Sequence, residues 1–98
     1  MNGFNSEELD KFYEAILSLR SKEECSKFFE DICTIKELKD MAQRLCVAIM
    51  LRDGKSYQNV SAEIGASTAT ISRVNRCLMY GNGGYNTVLE RMYGNKSK

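Results

Sequence analysis

The chain has 98 residues, a formal net charge of +1, and no His, Pro or Trp. That length carries one domain with one modest core. The missing imidazole excludes the usual serine and cysteine triads and any His-ligated metal, and the missing Pro argues against a loop-rich all-β domain.

Helix signals then run almost end to end. Ser6-Glu7-Glu8 reads as an N-cap with an acidic first turn, followed by Leu9, Phe12, Tyr13, Ile16 and Leu17 at helical spacing. Ser21-Lys22-Glu23-Glu24 has the form of a capping box and opens a shorter stripe of Cys25, Phe28, Phe29 and Ile32. Thr34-Ile35-Lys36-Glu37 repeats the box and starts a third segment. That segment begins amphipathic and ends in Leu45-Cys46-Val47-Ala48-Ile49-Met50-Leu51, apolar all round. Such a helix must be covered all round, either by a second subunit or by the other helices of one chain. Gly54 is the expected left-handed stop.

The stretch 56–79 is the most informative. Val60 and Ile64 share one face of a short helix, Gly65 supplies a turn, Ser67 can cap the next helix, and Ile71, Val74 and Leu78 mark its inner face. Two short helices packed around a Gly turn through these few residues are a helix-turn-helix. The outer face of its second helix is Ser67, Thr68, Ala69, Ser72, Arg73 and Arg76, small, hydroxylated or basic, and no carboxylate occurs between Glu63 and Glu90. Such a face enters a major groove without repelling phosphate; a helical hairpin used only for packing is the alternative. Gly81-Asn82-Gly83-Gly84 breaks the chain, and 85–93 forms a last helix with Val88, Leu89 and Met92 on one face. The predicted class is all-α, with five or six helices in one domain.

The net charge hides an asymmetry. Residues 1–33 hold four basic and eight acidic side chains, net −4, and residues 34–98 hold ten and five, net +5. One face that meets an anion explains this, as does chance composition of solvated surfaces. Cys25, Cys33, Cys46 and Cys77 are separated by 7, 12 and 30 residues, without a Cys-x-x-Cys pair, so four free thiols in or near the core are expected. No apolar run reaches the roughly 18 residues of a membrane span, and the polar start lacks a secretory layout, so a cytoplasmic chain without membrane contact is expected. Asp53 with Lys55, or Glu63 with Arg73, can be drawn as catalytic pairs, but neither sits in a pocket signature, and no enzyme is expected.

Leu51-Arg52-x-Gly54, followed by a helix-turn-helix containing Ala69-Thr70-Ile71-Ser72-Arg73, resembles the Trp repressor superfamily and its YerC/YecD-like branch over about residues 30–92. The resemblance implies an intertwined homodimer. In it, 1–33 are dimerisation helices, 34–53 a central buried helix, 56–79 the helix-turn-helix and 85–93 the C-terminal helix. It further implies sequence-specific binding of double-stranded DNA at a palindromic operator, as a transcriptional regulator and most simply a repressor. Ser67, Thr68, Ala69, Thr70, Ser72, Arg73 and Arg76 would approach bases or phosphates, with Lys55, Tyr57 and Gln58 bracing the backbone.

The family's corepressor contacts fall on Thr34, Arg44, Arg73 and Cys77. Cys77 stands where the family has a serine, and Val74 where it has a glycine that makes room for indole. Gln58 and Ser61 replace two basic positions. These departures argue against L-tryptophan as corepressor and leave Arg44 and Arg73 for phosphate or carboxylate. No cofactor is expected, and any effector is left open. The competing reading is a protein-interaction module, with a vestigial helix-turn-helix and an acidic half that docks a basic partner.

Overall fold

The computed structural model describes residues 6–94. Six helices follow one another: α1 (Ser6–Leu17), α2 (Lys22–Ile32), α3 (Ile35–Arg52), α4 (Tyr57–Ile64), α5 (Thr68–Tyr80) and α6 (Gly84–Tyr93), and the described residues contain no strand. The all-α class is as expected, with six helices. Ser6 is the first residue of α1 rather than the residue before it.

The caps explain the boundaries. Ser21 Oγ accepts from the Glu24 N–H at 3.1 Å, while the Glu24 carboxylate takes the Arg20 N–H at 2.8 Å. At α3, Thr34 and Glu37 close a reciprocal box: the Glu37 N–H donates to Thr34 Oγ1 at 3.0 Å, and the Thr34 N–H to Glu37 Oε1 at 2.9 Å. The far end of α3 is a Schellman turn. Gly54, at φ +89°, donates to the Leu51 carbonyl, and the Lys55 N–H reaches back to Met50.

The chain divides into two compact units, Met1–Leu38 and Lys39–Lys98. In the first, α1 and α2 meet through Phe12 and Phe28, with ring centroids 6.3 Å apart, and Phe29 packs edge-on to Phe28. None of its described residues is buried. Leu17 is 83% exposed, and Ile35, at the start of α3, is 76% exposed.

The second unit holds every buried hydrophobic of the described residues. These are Val47 and Ala48 from α3, Val60 from α4, Ala66 from the turn, Ile71 and Val74 from α5 and Leu89 from α6. Leu45, Ile49, Met50, Leu51, Ile64, Leu78 and Tyr85 pack around them. Burying each large aliphatic side chain here stabilises by about 1.5–3 kcal/mol. Two polar bonds fasten α6 to the rest: Asn86 Nδ2 donates to the Leu78 carbonyl at 3.1 Å, and the Arg52 guanidinium donates to the Gly94 carbonyl.

Two expectations change. The four cysteines are free, but Cys25, Cys46 and Cys77 are exposed and only Cys33 is half-buried. Cys46 and Cys77 fall on faces of α3 and α5 turned away from the seven buried core residues. On α6 only Leu89 is buried; Val88 and Met92 are exposed, because Tyr85 and Leu89, four apart, form the inward stripe. In the apolar half of α3, Val47 and Ala48 are buried, Leu45, Ile49, Met50 and Leu51 are half-buried against the core, and Cys46 is exposed.

Candidate nucleic-acid interface

The site is built on α4, the turn at 65–67 and α5. Ser56 caps α4 by accepting from the Asn59 N–H at 3.1 Å, and Gly65 ends it at φ +83°, its N–H on the Ser61 carbonyl at 2.8 Å. A side chain at Gly65 would meet no atom within 4 Å, so the requirement for glycine is the left-handed backbone alone. Ser61 Oγ donates to the Ala66 carbonyl at 3.1 Å across the turn. The residue read as a lost basic position therefore holds the turn together.

Ser67 caps α5. Its oxygen accepts from the Thr70 N–H and its single proton goes to Thr70 Oγ1, both at 3.1 Å. The two hydroxyls are thus linked at the start of the helix, Ser67 exposed and Thr70 half-buried. Ile71 and Val74 seat α5 on the core. Thr68, Ala69, Ser72, Arg73 and Arg76 stand exposed on its outer side. Tyr57, Gln58, Ser61 and Ala62 of α4 line an open groove of about 430 Å³ with Thr68 at the start of α5. Hydroxyl, amide and phenol groups thus border the entrance to the helix that carries the two arginines.

Lys55, expected to brace the DNA backbone, also has a partner within the chain. Its Nζ lies 3.2 Å from Glu63 Oε2, an ion pair from the α3–α4 link to the last turn of α4. This pairing of Lys55 with Glu63 is neither of the drawn catalytic pairs. Two residues eight apart across a helix cap have no periodic signal, so spacing along the chain does not reveal the pairing.

The residues carried over to an effector site fall in both units. Thr34 belongs to the first, where its hydroxyl oxygen serves as the cap of α3. Arg44 is half-buried on α3, and Arg73 and Cys77 are exposed, one turn apart on α5. Val74, at 1% exposure, is packed into the core beside Ile71, so the space that a glycine would leave is filled. Cys77 instead borders an open apolar hollow of about 640 Å³ with Leu45, Gly81, Asn82, Gly84, Tyr85 and Val88. Among the described residues, no group of acidic or Cys side chains could hold a metal, and no helix is long and apolar enough to cross a membrane.

Comparison with known proteins agrees with this geometry. Residues 7–93 match the family model of the Trp repressor protein. The uncharacterized protein YerC of Bacillus subtilis (strain 168) is 56% identical over 85 residues, 87% of this chain and 82% of that protein. A TrpR-like protein from Eubacterium eligens ATCC 27750 superposes with a TM-score of 0.88 at 48% identity, over 94% of this chain and 95% of the other. A crystal structure of a Trp repressor candidate from Staphylococcus aureus gives 0.85 at 47% identity, over 91% and 89%. With its six helices and central helix-turn-helix, the chain belongs to the Trp repressor family of DNA-binding regulators.

Proposed function

We propose that the chain is a homodimeric, sequence-specific regulator of transcription that occupies a palindromic operator in double-stranded DNA and represses by that occupancy. The observation that carries this reading is α5: an exposed row of Thr68, Ala69, Ser72, Arg73 and Arg76 on a helix held by a Gly turn. No carboxylate lies between 64 and 89. Arginine at this position reaches guanine edges or phosphate, and the small residues let the helix sit deep in the groove.

The dimer is supported by apolar surface that one chain leaves open. α1 and α2 bury no residue, Val88, Met92 and the hollow beside Cys77 stay uncovered, and α3 exposes Cys46 in its apolar half. A second copy covers such faces while placing two α5 helices one DNA turn, about 34 Å, apart. L-tryptophan is not the corepressor in this reading, because Val74 fills the space indole needs and Thr34 Oγ1 serves the α3 cap. Titration calorimetry with L-tryptophan should give no heat of binding; micromolar binding would overturn that part.

The test of the whole is fluorescence anisotropy with mixed-sequence DNA, followed by selection of bound sites from a random library. Salt-sensitive binding at low ionic strength and recovery of a palindrome are expected. Absence of any salt-sensitive binding would exclude the DNA reading and leave the protein-interaction module.

A further inference from the structure

Glu63 is the sole carboxylate in residues 54–89, and it sits on the DNA-reading unit, against Lys55. The pairing is built in by the backbone. The Lys55 N–H is fixed on the Met50 carbonyl in the turn that ends α3, so the side chain leaves at a set point beside α4. Glu63 lies in the last turn of α4, just before Gly65. The two side chains remain 41% and 54% exposed, so water and a competing anion can reach both.

From these contacts we infer that Glu63 acts as an internal stand-in for phosphate, holding Lys55 and lowering the affinity of the helix-turn-helix for DNA of any sequence. This rests on the DNA-binding reading above. Three cations lie in residues 54–80, Lys55, Arg73 and Arg76, and Glu63 neutralises one of them. Phosphate contacts add affinity without sequence information, whereas base contacts discriminate. A cation withheld from phosphate therefore lowers sequence-independent binding and leaves base reading to α5. An exposed pair is loose enough to yield, so Glu63 tunes the grip rather than blocking it.

The experiment is anisotropy on mixed-sequence DNA from about 50 to 200 mM salt, with the full chain, Glu63→Gln, Lys55→Gln and the double variant; each neutralised phosphate contributes a slope of about −0.9 to log K against log salt. E63Q should bind several-fold more tightly at low salt, with a slope steeper by about 0.9 per subunit. The gain should vanish in the double variant compared with K55Q alone. If E63Q follows the wild-type salt line, or if its gain survives without Lys55, the inference is overturned, the latter because Glu63 would then act only by repelling DNA directly. A wild-type chain that binds no DNA at any salt overturns the DNA reading itself, a different result from a wild-type that binds while E63Q does not change. Both side chains are exposed, and circular dichroism melts that match the wild type establish that each variant is folded.

Discussion

Arg76 stands on the outer side of α5, exposed, one turn beyond Ser72 and three residues after Arg73. Its replacement distinguishes two kinds of contact. If Arg76 holds phosphate, R76A weakens binding equally to all sequences and flattens the salt slope by about 0.9 per subunit. If it reads a base, affinity for the operator falls by about 1–3 kcal/mol with relaxed preference at one position. Unchanged affinity in anisotropy would remove Arg76 from the interface. At this scale the sequence identified residue types and left partners open. The outward row of α5 was legible because period 3.6 separates it from Ile71, Val74 and Leu78. The Lys55–Glu63 pair, the Ser61–Ala66 bond and the second Ser67 bond were not, since each depends on rotamers and on a turn that brings non-periodic positions together.

Among the elements, α4 and α5 depend on their connection. Gly65 is left-handed at φ +83°, and G65A, although it meets no neighbouring atom, should cost about 1–2 kcal/mol in thermal or urea unfolding. Ser67→Ala removes the cap of α5 and should cost about 1 kcal/mol. Because Ser67 Oγ also donates to Thr70, the same change frees the Thr70 hydroxyl to rotate. A loss in DNA affinity larger than the change in stability would therefore report on Thr70 geometry. Wild-type stability for S67A would contradict the capping geometry. Both boundaries were legible, since Gly and Ser mark helix ends by local backbone chemistry. α6 was read less well. Its sequence carries two apolar pairs, Tyr85 with Leu89 and Val88 with Met92, and periodicity alone does not say which of the two turns inward.

At the scale of the molecule, seven buried residues among those described carry the core, all of them in the second unit. Leu89 is fully buried there, and L89A should cost about 2–5 kcal/mol in unfolding experiments. The first unit buries none of its described residues, and the proposed dimer makes its stability depend on a partner. The melting temperature should therefore rise with protein concentration, and Leu17→Lys, at an 83% exposed position, should shift sedimentation equilibrium toward monomer while the chain stays helical. A concentration-independent melt with a monomeric mass would exclude the dimer. Two copies of a chain of charge +1 carry only +2, so sequence-independent DNA affinity should be weak even at low salt instead of persisting as general adhesion.

The sequence by itself determined the helices, their caps and the helix-turn-helix, because these follow from nearest-neighbour backbone chemistry and from apolar spacing along one element. It also located the acid-free outer face of α5, which is a property of composition. Tertiary structure alone decided which apolar faces one chain covers and which it leaves open, and it turned three of the four cysteines outward. It also paired Lys55 with Glu63 and filled the glycine-like space with Val74. Each of these depends on where separate helices meet, and the area available in so small a core is shared among faces that the sequence makes equally apolar.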